Sequence, residues 1–374
     1  MEKHLHIVAI TVPYPPNFGG VIDLYWKLEA LQLQGVKIHL HCFLYDRAPA
    51  KELEQFCSEV KYYHRNLKLN QLASKLPFIV QSRRNEELLN NLLQDNHPIL
   101  LEGIHCSYLL TDNRFQNRKI LLRSHNVEYE YYQHLAHSTN NIAKKIYSNR
   151  ESRKLFIYEK FIAKKDIPIL TVTSKDAQTY TNVLNAKHAS YLPLFLPTTW
   201  QINATVGLGT YCLYHGDLSI SSNQKAVKWL LQKVFALTNI PLVIAGKNPP
   251  NSLIKLAHRL PHTCIVSNPG EKEMSDLVSK AQLHILPSYN SAGIKLKLLN
   301  ALYNGRFCLA NNDTLQGSSV ESLCIKFNGV AECVQQIEKY FYLPFGETEV
   351  EKRKALLLSI FNNESNAKKI IELL

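Results

Sequence analysis

The sequence predicts an α/β protein of two doubly wound parallel-sheet domains facing a cleft, and three observations carry that expectation. Its 374 residues exceed one small core and fit about two domains of ~150 residues each. Apolar strand-like runs alternate with helical patterns, stop at a proline-bearing stretch, and then begin again. Glycines and polar residues gather where strands hand over to helices, the edge at which ligands collect in open parallel sheets.

The first half opens with a strand over 4–12, a helix over 21–34 and a strand over 36–44. Further strands are expected near Val60 and over 99–102, 119–123 and 168–173, separated by helical patterns. Such alternation calls for crossover helices on both faces of a parallel sheet. The run 191–200, Tyr-Leu-Pro-Leu-Phe-Leu-Pro-Thr-Thr-Trp, reads as the linker, because its two prolines stiffen an extended chain and deny it helix. Beyond it, strands are expected over 211–214, 242–245, 264–266, 283–286 and 307–309, with helices over 223–235, 271–280 and 294–303. The tail reads as two helices broken near Asn362, the last of which is expected to return to the first domain. The division expected is therefore 1–196, 197–346 and a helical 347–374.

Hydrophobic content of 45% and charged content of 20% suit a chain that folds throughout. No apolar run approaches the ~20 residues of a membrane span, and the first 13 residues read as a strand rather than a leader. Eight cysteines fall singly without a C-x-x-C pair, which points to buried thiols in a reducing, cytoplasmic setting and to neither a disulfide framework nor a structural zinc. Net charge is +12, with eight basic residues in the helical pattern 144–165. A solvated helix face is the simplest reading of that stretch. An anionic membrane surface is the next, supported by the apolar run 76–80 ahead of Arg83 and Arg84. Nucleic acid is not expected, since no recognition motif accompanies the charge.

The chemistry is most legible over 288–307, where a glycine turn opens an apolar helix whose first turn carries Lys295 and Lys297 and no acid. A helix N-terminus bears roughly half a positive charge, so both lysines are unfavourable by a few tenths of a kcal/mol unless an anion lies between them and the free amides. An anion site is expected there. Gly216 and Lys247 follow strand ends on the same predicted edge. In the first half, Pro15-Pro16-Asn17-Phe18-Gly19-Gly20 offers bare backbone at a helix start, and matches neither G-x-G-x-x-G nor a Walker loop. It reads equally as a plain turn or a phosphate cradle. His125 stands at a strand end, followed by Asn126, a candidate helix cap, and Glu128, a first-turn acid. Glu102 and His105 end the neighbouring strand, where they could meet a sugar hydroxyl or simply form a solvated turn.

Taken together, the early Gly-Gly loop, His-Asn-x-Glu, Gly-x-Leu with a downstream Asn223, the Ala-Gly strand end and Pro-Ser-x-x-x-x-Gly-x-Lys-x-Lys resemble family 4 of the glycosyltransferases over most of the chain. The resemblance implies the GT-B fold, with a Rossmann-like acceptor-binding first domain and a Rossmann-like nucleotide-sugar-binding second domain. It implies retaining, metal-independent transfer from a nucleotide-diphosphate sugar to a glycan, lipid-linked or polysaccharide acceptor at the inner membrane face, with no cofactor. By the same resemblance His125, Lys295 and Lys297 are the catalytic groups, His125 touching the donor sugar and the lysines neutralising the leaving diphosphate with Lys247. Gly19, Gly20, Gly216, Gly293 and Ile294 would approach the donor, with Val266 and Asn268 near its base. Glu102, His105, Asn126 and Glu128 would face the acceptor.

One departure stands out. Where the family usually carries two glutamates eight residues apart, this chain has Ala292 and Asn300. Asn300 can hydrogen-bond a ribose hydroxyl, about half as strongly as a charged partner would. Glu321 is a candidate substitute, although Ser318 to Glu321 reads first as a capping box. The family's basic pair after Gly-x-Leu is also absent, with Asp217 and Asn223 nearby instead. A non-catalytic nucleotide-sugar-binding relative or scaffold is therefore the rival reading, and a sugar-nucleotide epimerase of the same fold a remoter one.

Overall fold

A computed structural model describes residues 2–17, 19–45, 47–139, 141–290 and 293–374. Phe18 of the glycine loop and Ala292, at the expected glutamate position, lie outside the described residues. The chain divides into two compact units, Met1–Thr198 with Phe361–Leu374, and Thr199–Ile360.

The first unit holds β1 (Lys3–Ala9), β2 (Val36–Leu44), β3 (Glu59–His64), β4 (Ile99–Glu102), β5 (Ile120–Ser124), β6 (Ile169–Thr171) and β7 (Ala189–Tyr191). They form one parallel sheet in the order β3-β2-β1-β4-β5-β6-β7, so the strand order turns between β1 and β4. Leu100 and Leu121 pack with helix Gly19–Leu33 through Leu24 and Leu28, whereas Leu101 and Leu122 pack with helix Ile142–Ala163 through Leu155 and Ile162. A strand buried on both faces has no polar side to show, which is why β4 and β5 read as continuous apolar runs.

The second unit holds β8 (Cys212–His215), β9 (Leu242–Gly246), β10 (Thr263–Ser267), β11 (Leu283–Leu286), β12 (Phe307–Ala310) and a short β13 (Ile325–Lys326) that sequence patterning did not reveal. Its parallel order is β10-β9-β8-β11-β12-β13. The helix expected over 223–235 runs as Ser221–Trp229 and then widens into a π turn over Leu230–Val234.

Two expectations about segmentation change. The stretch read as linker is anchored in the first unit: Leu192, Leu194, Phe195 and Leu196 are buried, and Arg123 donates to the carbonyls of Leu192 (2.6 Å) and Pro193 (3.0 Å). Of the two helices read over 347–374, the first also joins the second unit instead of standing apart from it. Helix Glu347–Ile360 belongs to the second unit, where the buried Arg353 guanidinium donates to the carbonyls of Leu302, Gly305 and Arg306 and so closes the end of helix Leu296–Asn304. Helix Asn363–Glu372 belongs to the first unit, burying Ala367 and Ile370 among the residues of helix Gly19–Leu33. The apolar run 76–80 is core rather than a membrane-facing strip, since Ile79 and Val80 are buried and Arg83 turns inward to the carbonyls of Ile79 (2.8 Å) and Ile10 (3.3 Å).

Candidate functional site

In the first unit, helix Gly19–Leu33 starts on the double glycine and carries Asp23 and Lys27 one turn apart, both fully buried. Burying a charge is tolerable only with a partner. Lys27 Nζ donates to Asp23 Oδ2 (2.9 Å) and to Oε1 of Glu102 at the end of β4 (2.7 Å). Arg123, from β5, donates to Asp23 through Nη2 (3.0 Å) and Nε (3.2 Å). His125 completes the group, with Nε2 3.1 Å from Glu102 Oε2 and 3.5 Å from Asp23 Oδ2.

Burial opposes charge on Asp23, but Arg123 and then Lys27 outweigh it and hold the carboxyl well below its usual range. Glu102 is held below its usual value in the same way, chiefly by Lys27. Burial would also lower His125, yet its pairing with Asp23 and Glu102 raises it above the ordinary imidazole value. The ring is thus biased towards the cation, and Gly20 brings bare backbone to its other side: a Cβ there would sit 3.4 Å from His125 Nδ1. A cavity of about 230 Å³ opens at this point, lined by Gly20, Tyr45, Arg65, Arg83, Glu102 and His125 among others. Burial pushes Arg83 down to about 10, which leaves it charged at neutral pH, and lowers Arg65 from its ordinary value. One ligand atom each of Asp23, Glu102 and His125 lies within 4.8 Å of the others, but the Lys27 ammonium already bridges the two carboxylates where a metal cation would sit.

In the second unit the carboxyl ends of β8 and β9 nearly touch. A Cβ on Gly246 would fall 1.8 Å from the carbonyl oxygen of Gly216, so only glycine fits. Gly246→Ala should therefore destabilise the chain by about 1–3 kcal/mol or more, read by urea unfolding, because rigid backbone has to give way. An alanine variant as stable as wild type would show that this edge yields freely.

Asn223 ties the same edge together. Its Nδ2 donates to Asp217 O (2.8 Å), and its Oδ1 accepts from Tyr214 OH (3.0 Å) and Lys297 Nζ (3.2 Å). Lys297 also donates to Tyr214 OH (3.0 Å), so the partners of its ammonium are neutral. Burial, and then Lys295, push Lys297 down to about 7. It lies in the first turn of helix Leu296–Asn304, which has no acid there and no side-chain cap at Lys295. Lys295 Nζ donates to Gly293 O (3.0 Å). Buried His215, beside Lys297, is pushed down to about 3, by burial and then by that lysine.

The structure gathers the remaining sequence candidates unevenly. Val266 lies in β10, and Asn268 follows it in the left-handed region (φ 53°), donating its N–H to Gly246 O (2.8 Å) and accepting from Asn248 N (2.8 Å). Lys247 is exposed beside them, and Gly293 and Ile294 lead into the lysine helix. Asn300 Oδ1 accepts from Asn304 Nδ2 (2.8 Å), one helical turn on. Glu102 and His105 do not form a solvated turn: Glu102 is buried, and enclosure holds the His105 imidazole well below its ordinary value. Asn126 does not cap its helix. The N-cap is Val127, and the free amides of Glu128 and Tyr129 are taken by the Glu159 carboxylate (2.9 Å each). Nor is Glu128 a solvated first-turn acid, since burial pushes it up to about 7. The capping box at Ser318 to Glu321 is absent too, because Ser318 Oγ accepts from Val320 N (3.4 Å) and Glu321 opens a 3-10 turn.

Sequence reasoning passed over Asp23, Lys27, Arg123, Arg65 and Tyr214. Three of these left a signal: Asp23 and Lys27 are an i,i+4 charge pair inside an apolar helical run, and Arg123 interrupts a strand otherwise read as buried.

Residues 209–339, from the approach to β8 through most of helix Gly329–Phe341, match the family model of the glycosyl transferases group 1. The match supports a group 1 glycosyltransferase. A Klebsiella pneumoniae protein described as an uncharacterized 44.6 kDa protein in the cps region is 28% identical over 334 residues, covering 83% of this chain and 84% of its own length. Among solved structures, a glycosyltransferase from Rickettsia africae ESF-5 is similar at a TM-score of 0.65 and 14% identity, over 100% of this chain and 98% of that one. HepE from Anabaena, in complex with UDP and glucose, is similar at a TM-score of 0.65 and 10% identity, over 98% of each chain. At such identities the likeness establishes the fold: the two all-parallel α/β units of this chain are those of GT-B.

Proposed function

We propose that the chain is a retaining, metal-independent glycosyltransferase of family 4 that transfers a sugar from a nucleotide-diphosphate donor to a glycan, lipid-linked or polysaccharide acceptor. The observation that carries this reading is Lys297: an ammonium pushed down to about 7, hydrogen-bonded among the described residues only to neutral groups, in the first turn of a helix with no acid there and no side-chain cap. Every element of that arrangement improves when a diphosphate arrives. Lys297, Lys295 and the helix amides would meet the negative charge that grows on the leaving phosphate, in place of a metal ion. Lys247, Gly216, Gly293 and Ile294 would surround the donor, with Val266 and Asn268 at the base and Asn300 at the ribose.

In the first unit, His125 would donate to the donor sugar, held by Glu102 and Asp23, while Gly19 and Gly20 leave room for close approach. His105, Asn126 and Glu128 would serve the acceptor. Arg65 and Arg83 favour an acceptor with an anionic group, because two guanidiniums face the cavity against the single carboxylate of Glu102. The cps-region relative and the UDP and glucose bound by HepE are consistent with a role in polysaccharide assembly.

A thermal-shift panel of UDP-, GDP-, ADP- and dTDP-sugars tests the donor site, since a ligand at a hundred times its Kd adds about 2.7 kcal/mol. One nucleotide should raise Tm, with or without EDTA, and no response to any of the four would sink the donor assignment. Turnover that stops in EDTA and returns with Mg²⁺ would count against metal independence. The rival reading, a non-catalytic relative, rests on Asn300 standing where a carboxylate is usual; binding of a donor that no acceptor ever consumes would favour it.

We also propose a cytoplasmic location with peripheral attachment to an anionic membrane face. No described helix is long and apolar enough to cross a membrane. Helix Ile142–Ala163 instead exposes Ile142, Ile146, Ile157 and Phe161 among the exposed Lys144, Lys145, Arg150 and Arg153. Each basic residue near an anionic surface contributes about 1 kcal/mol. Sedimentation should show binding to phosphatidylserine vesicles that fades with salt, and equal partitioning onto neutral vesicles would refute the attachment.

A further inference from the structure

Five histidines converge on one face of the first sheet, towards the amino-terminal ends of its strands. His4 and His6 alternate along β1, His39 and His41 along β2, and His97 comes from the turn before β4. The period of two in a strand places each pair on one face. Ile10, at the cavity described above, is six residues along the chain from His4, about 20 Å at ~3.3 Å per residue.

The five rings fall into two sets. His6 and His41 are buried and their hydrogen bonds are complete: His6 Nε2 pairs with Asp95 (3.0 Å), His6 Nδ1 with His41 Nε2 (2.9 Å), and His41 Nδ1 with Tyr63 OH (2.8 Å). His4, His39 and His97 are half-buried and reachable from solvent. One nitrogen of each lies within 4.8 Å of the other two. Their rings stack nearly parallel, with centroids of His4 and His97 4.4 Å apart.

We propose that His4, His39 and His97 bind one divalent transition-metal ion of the zinc class, distinct from the transfer site. His4 Nδ1 and His39 Nε2 stand 3.1 Å apart. Two ligands at about 2.05 Å from a common zinc ion, about 98° apart, have that separation. The opposite nitrogens face acids: His4 Nε2 is 3.9 Å from Glu2 and His39 Nδ1 is 3.7 Å from Glu59. For these two of the three rings, a carboxylate that closes to hydrogen-bond distance would supply the outer shell that orients a histidine for a metal. Two neighbouring cations are already paired, Arg118 with Asp95 (2.7 Å) and Lys61 with Glu59 (3.1 Å). Because a ligating nitrogen's lone pair lies in its ring plane, His97 tilts out of its stack on His4 to supply the third ligand, and water completes a tetrahedral shell. The ion clamps β1, β2 and the turn before β4 together and takes no part in glycosyl transfer.

The test uses the untagged full chain, stripped with chelator and kept reduced, titrated with Zn²⁺ by calorimetry and with Co²⁺ by absorption spectroscopy. One ion should bind per chain, with a Co²⁺ spectrum of nitrogen and oxygen ligands. His97→Gln should weaken binding by at least about tenfold. His4→Asn with His39→Asn should abolish it. Should that strand variant fail to fold, His97→Gln decides alone, because its position lies outside the strands. Absence of binding, thiolate charge-transfer bands that implicate the cysteines, or undiminished affinity in His97→Gln would each overturn the proposal.

Discussion

Replacing Lys27 by methionine should destabilise the chain by about 3–5 kcal/mol, the range for breaking a buried ion pair from one side. The variant keeps the volume and removes the one ammonium that joins Asp23 to Glu102. Asp23 retains Arg123, whereas Glu102 is left facing His125 alone. Urea unfolding at pH 7 measures the loss, and a change below about 1 kcal/mol would mean that water or a proton readily replaces the lysine. Adding Glu102→Gln should restore part of the stability, because the uncompensated carboxylate is then gone. The pH dependence follows from the directions of the shifts. Asp23 and Glu102 are held below their usual values, so their contribution is complete above about pH 4 and is lost as pH falls through the folded values. His125 is raised, so its contribution is complete below about pH 6.5 and is lost as pH rises through its folded value. The Lys27→Met variant should show a shallower acid limb than wild type.

Lys297→Ala should weaken nucleoside diphosphate binding by about 1.5–3 kcal/mol, roughly ten- to a hundredfold in Kd. The free ammonium sits at about 7, and a bound diphosphate favours its charged form. Above pH 7, therefore, binding has to take up a proton, and affinity should fall by up to about tenfold per pH unit until the pKa of the complex is reached. Calorimetry at pH 8 in two buffers of different ionisation enthalpy should report close to one proton taken up per nucleotide. Lys297→Met should abolish that uptake, and persistence of the uptake would show that another group titrates. Wild-type affinity in the alanine variant would place the diphosphate elsewhere.

Both predictions turn on groups that the sequence displays unequally. Lys297 was legible, because a basic first turn on an apolar helix conflicts with the helix dipole whatever the fold around it. The architecture was legible for a similar reason: alternating strand and helix periods, restarted after a proline-bearing stretch, admit few arrangements other than two parallel sheets covered on both faces. These are local rules, read within a window of a turn or a strand.

What only the tertiary structure decided depends on residues far apart in the chain. Asp23, Glu102, Arg123 and His125 form one charge cluster only because β4 and β5 lie side by side while helix Gly19–Leu33 crosses them. Asn126 looked like a cap until Glu159 arrived from another helix to take the amides it would have served. Arg83 looked like a surface charge until the carbonyls of Ile10 and Ile79 received it inside. The tail reads as two helices set apart from the second domain, yet Arg353 fastens the first of them to the second unit while Ala367 and Ile370 bury the other in the first. Periodicity and residue type determined which segments form strands and helices and where an anion is wanted. Which charges neutralise one another is set by long-range packing, because a partner's identity is a property of the space around a side chain and not of its neighbours in sequence.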